Sequence, residues 1–259
     1  MTAAPQAALD PVLLDALAEL LLTVADDEFV IGFWDSEWTG IAPMLEEDVA
    51  TSSIAQDEIG HAKALYELLA ELTGGDADAI AFGRDAEDFR HAALLNHARG
   101  DWAFSVARRY LYETADAVRL AALSRSSHPP LAQLAAKMRR EETYHLLHAD
   151  AWLRRLADGA AEGRERLAAA LRTLWPDAQA MFTPLAGESI LHEAGLLPEP
   201  TNAQRETWLG QVRPALQPIA GTLDDAGVPA DGRTRRTADF AWLHGEFTMV
   251  ARAQAGARW

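Results

Sequence analysis

A chain of 259 residues that is 49% hydrophobic and 24% charged has enough apolar content to bury a core of its own. Its formal net charge of −16 gives its field the sign of phosphate, which argues against nucleic acid and acidic membrane surfaces as partners. It contains no cysteine, so it can form no disulfide and hold no thiolate-bound iron–sulfur cluster, and electrons for any redox chemistry must come from another protein.

The stretch Met1 to Asp10 lacks the basic start and apolar run of a signal peptide, and no apolar run approaches the ~20 residues of a membrane-crossing helix. The expectation is a soluble, cytoplasmic protein. Asp10-Pro11 reads as an N-cap followed by proline at the first helical position, opening a helix from Pro11 to about Thr39 with the stripe Leu17, Leu21, Val24, Ile31, Trp38. Gly40 and Pro43 break it. A second helix carries Ile54, Leu65, Leu68 and Leu72 and ends at Gly74-Gly75. Residues 76 to 100 form a connection with one short helix near Asp85 to Asn96.

Asp101 caps a third helix with the stripe Val106, Tyr110, Ala117, Leu120. His128-Pro129-Pro130 separates it from a fourth, which places Leu131, Ala135, Met138, Ala149, Trp152 and Leu156 at helical spacing before Gly159. Three more helices follow at Glu162 to Met181, Gln204 to Ala226 and Thr237 to Gln254, packed on the outside, with Pro214 and Pro218 kinking the second.

The chemistry lies in two Glu-x-x-His motifs, Glu58-Ile59-Gly60-His61 and Glu142-Thr143-Tyr144-His145, each with a lone glutamate about thirty residues upstream, Glu28 and Glu113. One glutamate from each of two helices and a Glu-x-x-His from each of two others is the pattern of a two-metal carboxylate site in a ferritin-like bundle. The fold expected is therefore all-α and a single domain over 1–259, with a four-helix bundle core at about 11–158 and accessory C-terminal helices at about 162–255. A crossover at 76–100 suits that bundle better than a tight hairpin.

All six groups fall on the apolar stripes, at steps of three or four: 24, 28, 31; 54, 58, 61, 65; 110, 113, 117; 138, 142, 145, 149. Four glutamates thus point into one core, where burying even one unpaired carboxylate costs several kcal/mol. Two ferrous ions balance four carboxylates, with neutral imidazoles completing the coordination, so the expected cofactor is a pair of irons, manganese being the alternative. Asp57 and Glu141, each just before a motif glutamate, are the expected outer carboxylates, Asp57 holding His145 and Glu141 holding His61 across the bundle.

A single Glu-x-x-His is common by chance, and a lone histidine on an apolar face is usually a core residue; the combination carries the argument. His91, His97, His128, His148, His192 and His244 lack such partners and read as surface or core residues, and the eight tryptophans as packing and interface residues rather than a redox chain.

Beyond these ligands, Leu21 to Asp26, Ser36-Glu37-Trp38-x-Gly40-x-Ala42-Pro43, Glu46-Glu47-Asp48-Val49-Ala50 and Gln56-Asp57-x-x-Gly60 form a recognisable pattern. It continues through Phe82-x-Arg84-Asp85 with Phe89, Arg109-Tyr110, Tyr144-His145 with Trp152-Leu153, and Trp259. In these segments the chain resembles the phenylacetic acid catabolic family, on the side of its C-type subunits. The resemblance implies a cytoplasmic ring epoxidase of several components that splits molecular oxygen. In it the catalytic di-iron centre and the binding site for the coenzyme A thioester lie in a homologous A-type subunit, of which the C-type subunit is the structural partner. Small accessory subunits join them, and a flavin and iron–sulfur reductase supplies electrons from NADPH.

It also implies, for a loaded site, Glu58 and Glu142 as bridging ligands with Glu28 and Glu113 terminal. C-type subunits often have a degraded metal site, whereas Glu28, Glu58, His61, Glu113, Glu142 and His145 are all retained here. The sequence therefore leaves three readings: a structural subunit, an active di-iron oxygenase in its own right, and an iron-oxidising or iron-storing ferritin relative, the last without a specific sequence sign.

Overall fold

Local capping sets the first element. The Asp10 carboxylate accepts the Val12 amide at 2.9 Å, Pro11 occupies the first turn, and α1 runs Pro11–Ser36. The structure, a computed structural model, describes residues 9–224 and 227–254, in which no strand occurs. Of the segments read from the sequence, residues 1–8, the Ala226 end of the helix predicted from Gln204, and Trp259 lie outside the described residues.

The helix α2, Leu45–Thr73, ends at Gly74, whose φ of +74° is the left-handed conformation that glycine adopts without penalty. The short α3, Ala77–Phe82, precedes α4, Trp102–Leu123, which Asp101 caps through the Phe104 amide. Next comes α5, Pro129–Ala157, capped by the His128 ring. Then follow α6, Ala161–Ala178; α7, Glu188–Glu193; α8, Thr201–Ala220; and α9, Ala238–Ala253. Helix α1 packs on α2, α4 on α5, and α2 on α5, giving the ferritin-like helical bundle.

Several boundaries differ from the sequence reading. Helix α1 stops at Ser36 rather than Thr39, because the chain turns at Gly40 (φ +81°), whose amide donates to both Asp48 oxygens at 2.9 and 3.0 Å. No helix spans Asp85 to Asn96; two 3-10 turns, Ala86–Asp88 and Ala93–Asn96, flank an extended stretch there. The cause lies on α1: the Asp26 and Asp27 carboxylates capture the amides of Arg90 (2.6 Å) and Ala92 (2.7 Å), which a helix would need for itself. Helix α6 hands over to a 3-10 turn, Gln179–Phe182, after Pro176, and α8 ends at Ala220, where Gly221 turns the chain with φ +75°. Pro214 and Pro218 lie inside α8, which continues through both. The short α7 was not legible from periodicity.

Burial distinguishes two kinds of helix. Between Leu20 and Asp35, α1 is buried on nearly every side, and α4 is likewise buried along most of its length, whereas α2 and α5 each keep a face in solvent. The C-terminal segment makes the difference, since α6 and α8 lie against α4 while α7 and α9 lie against α1. The tryptophans serve packing: Trp175 stacks on Trp208 with centroids 5.2 Å apart, and Trp34 donates to the Leu95 carbonyl at 2.8 Å. Among the described residues no helix is long and apolar enough to cross a membrane.

Helices α1 and α2 approach closely at Gly32, one turn beyond Glu28. A Cβ there would stand 2.8 Å from Ile59 Cγ1 and 3.1 Å from both the Ala55 carbonyl oxygen and Glu58 Cβ. Alanine in mid-helix ordinarily stabilises by about 1 kcal/mol relative to glycine. Here the overlap reverses the sign: Gly32→Ala is expected to destabilise by about 1–2 kcal/mol, read as a lowered denaturation midpoint in urea.

Candidate metal centre

Each of the four bundle helices delivers its groups inward. Glu28 comes from α1, Glu58 and His61 from α2, Glu113 from α4, and Glu142 and His145 from α5, all at most 4% exposed. They form two sets, Glu28, Glu58, His61 and Glu142, and Glu58, Glu113, Glu142 and His145, and in each set one ligand atom per residue lies within 4.8 Å of the others. Glu58 and Glu142 belong to both.

The distances have the scale of a coordination shell. His61 Nδ1 stands 3.2 Å from Glu142 Oε1, 3.3 Å from Glu28 Oε2 and 3.8 Å from Glu58 Oε2. His145 Nδ1 stands 3.2 Å from Glu142 Oε2 and 3.4 Å from Glu58 Oε1. Ligands about 2.1 Å from a shared ion are themselves roughly 3.0–3.4 Å apart. One ring N–H, moreover, cannot serve three oxygens. Glu58 Oε2, Glu113 Oε2, both Glu142 oxygens and His145 Nδ1 are buried without an aligned hydrogen bond, which is the state of ligand atoms that await a cation. The residues present fit a pair of divalent ions.

The opposite ring nitrogens are held from outside. His61 Nε2 pairs with Glu141 Oε2 at 2.8 Å and His145 Nε2 with Asp57 Oδ2 at 3.2 Å, the cross-bundle arrangement expected from sequence. These contacts fix both rings with Nδ1 inward. The remaining histidines have other partners: His91 with Asn96, His97 with Asp177, His148 with Glu47, His192 with the Leu197 carbonyl, His244 with the Arg84 carbonyl, and His128 as the α5 cap.

Two buried arginines on α4, which also pair with Asp35, Asp27 and Asp116, reach the glutamates. Arg109 Nη1 donates to Glu58 Oε1 at 3.0 Å and to Glu113 Oε1, and its Nη2 donates to Asp35. Arg119 pairs with Asp27 and Asp116 and reaches Glu28 Oε1 at 3.3 Å, beside the Tyr112 hydroxyl, which donates to the same oxygen at 2.9 Å. Arg109 stood four residues before Glu113 on the same helical face, so its presence at the site was legible. Asp35, Tyr112, Asp116 and Arg119 gave no comparable signal.

Protons complete the balance when no metal is present. Burial, reinforced by Asp116 and Glu58, pushes Glu28 well above the usual carboxylate range, and burial with Glu142 does the same to Glu113. Burial also disfavours the charge on Glu58, but the facing His145 and His61 rings and the Arg109 charge outweigh it and hold this group low. Glu142 is likewise lowered: burial and Glu58 oppose its ionisation, and both histidines prevail. Burial disfavours both imidazolium ions, yet the surrounding carboxylates raise His61 strongly and His145 to about 10. Ionisation is thus disfavoured at Glu28 and Glu113 and favoured at Glu58 and Glu142, while both histidines hold their protons more tightly than usual. Ion binding at Nδ1 would have to expel these protons.

A narrow cavity of about 20 Å³ adjoins the cluster, walled by Trp38, Trp102, Trp152, Ile54 and Val106 and reaching the Asp35–Arg109 pair. The three indoles meet edge to face, with centroids 4.9 and 5.1 Å apart.

The description "Phenylacetic acid catabolic protein" is that of the family model matching residues 1–259. The chain is 31% identical over 200 residues to the C subunit of 1,2-phenylacetyl-CoA epoxidase from Escherichia coli K12, covering 77% of this chain and 80% of that protein. It is 26% identical over 184 residues to the A subunit of the same enzyme, covering 71% of this chain and 56% of that protein.

The His145 shift has a definite sign. Its folded value, about 10, exceeds the ordinary 6.5, so in metal-free protein its stabilisation is full below pH 6.5 and is lost as the pH rises through about 10. Thermal melts in chelator over that range are expected to show the decline, and His145→Ala to flatten it.

Proposed function

This chain belongs to the phenylacetic acid catabolic protein family, and we propose that it serves there as the C-type subunit of a multicomponent phenylacetyl-CoA epoxidase, partner and scaffold of a homologous catalytic A-type subunit. The observation that carries this reading is that the likeness extends over most of the C-type relative but little more than half of the A-type one. The same likeness supports a role in phenylacetate catabolism within a multisubunit complex, which in this proposal small accessory subunits and a reductase complete. The whole chain reads as one ferritin-like domain.

In this proposal Glu28, Glu58, His61, Glu113, Glu142 and His145 would hold two irons, and Glu58 and Glu142 belong to both ligand sets. Such a pair, when bound, supplies reductive activation of molecular oxygen. The chain's own residues prepare the site. Glu141 and Asp57 aim His61 and His145 inward, and Tyr112 and Arg119 fix Glu28, in a buried setting that strengthens every charge interaction inside.

The completeness of the six-residue set favours a second reading, in which the chain is an oxygenase in its own right. Metal analysis of protein from iron-supplemented cells is expected to give about two irons per chain and almost none in Glu58→Ala/His145→Ala. Iron at control level in the unaltered protein would refute the metal assignment. Separately, the chain is expected to copurify with a co-expressed A-type homologue and to form no product with a reductase alone. Oxygen-dependent epoxidation without the homologue, abolished by Glu58→Ala, would replace the scaffold reading with the second.

A further inference from the structure

The two ligand sets are not electrostatically equivalent. Arg109 bridges two members of one set, donating from the same Nη1 to Glu58 Oε1 and Glu113 Oε1, and so joins those carboxylates as a cation at that position would. Glu58 Oε1 is also the oxygen that faces His145 Nδ1, whereas Oε2 faces His61. In the other set Arg119 touches a single ligand, Glu28, at Oε1, leaving Oε2 directed at His61. Neither oxygen of the shared Glu142 receives an aligned hydrogen bond.

We propose that Arg109 is a built-in counter-cation that makes the two metal positions unequal, so that the Glu28/His61 position fills first and the Glu113/His145 position fills only as Arg109 gives up its hold on Glu58 and Glu113. The inference rests on the reading of the cluster as a two-metal centre. Like charges in a buried, weakly screened site repel strongly, and an ion entering the second position meets a guanidinium already on two of its four ligands. Asp35 can keep the guanidinium as it leaves the glutamates. Nη2 is already on Asp35, Nε has no partner, and the cavity beside the pair carries the unpartnered, buried Thr51 Oγ1. Arg109 is thus a positioning residue: it sets the order of loading and touches no reacting atom.

Titration of metal-free protein with Mn²⁺, followed by calorimetry and by electron paramagnetic resonance, tests this without any assay of activity. Unaltered protein is expected to bind one Mn²⁺ per chain at least tenfold more tightly than the second, with an isolated-ion spectrum at one equivalent. Arg109→Gln is expected to tighten the second step at least tenfold and to give spin-coupled Mn²⁺ pairs at lower metal, while Arg109→Lys, which retains the charge, keeps the steps unequal. Asp35→Asn, which removes the group that receives the guanidinium, is expected to weaken the second step and leave the first unchanged; it carries the test if Arg109→Gln does not fold. Two equally tight ions in unaltered protein, or a step ratio unmoved by Arg109→Gln and Asp35→Asn, overturns the inference alone. No Mn²⁺ uptake by any variant overturns the two-metal reading and this inference with it.

Discussion

The structure depends on neutralising carboxylates inside a helical core. Eight acidic side chains are buried among the described residues: Asp26, Asp27, Glu28, Asp35, Glu58, Glu113, Asp116 and Glu142. An unpaired charge at any of them would cost several kcal/mol, a large share of the net stability of a domain. Each has a counter-charge or a proton. Arg84 takes Asp26, Arg119 and Arg233 take Asp27, Arg119 also takes Asp116, and Arg109 takes Asp35. The four glutamates of the cluster are balanced by His61, His145 and bound protons.

This network ties the C-terminal third of the chain to the bundle. Arg233 reaches from the segment before α9 to Asp27 at 3.0 Å and also donates to the Arg90 and Met181 carbonyls, so it pins three separate segments to α1. Burial of α1 and α4 on both sides follows from that closure, and so does the low dielectric in which the cluster sits. The accessory helices are therefore part of the electrostatics of the site as well as its cover.

Protons and divalent ions compete for the same buried groups, so uptake of an ion at the cluster would release protons. Packing alone does not account for six polar groups at the centre of the bundle. A core needed only for packing would be served as well by apolar residues, which are often neutral or stabilising replacements for buried ion pairs.

Much of this was written locally. Helical periodicity placed the bundle helices and put Glu28, Glu58, His61, Glu113, Glu142 and His145 on inward faces, because side chains three or four apart share a face whatever the rest of the chain does. Adjacency to the motif glutamates supplied Asp57 and Glu141, and the four-residue step to Glu113 in principle supplied Arg109. It could not supply the partners of Asp26 and Asp27, since Arg84, Arg119 and Arg233 lie 58, 92 and 206 residues away and meet those acids only after the bundle closes. Nor could it foresee that Asp26 and Asp27 would hold residues 89–92 extended. Sequence alone determined which groups face the core; tertiary structure decided which cation or proton each buried acid keeps, because charge pairing depends on distance in space and is indifferent to separation along the chain.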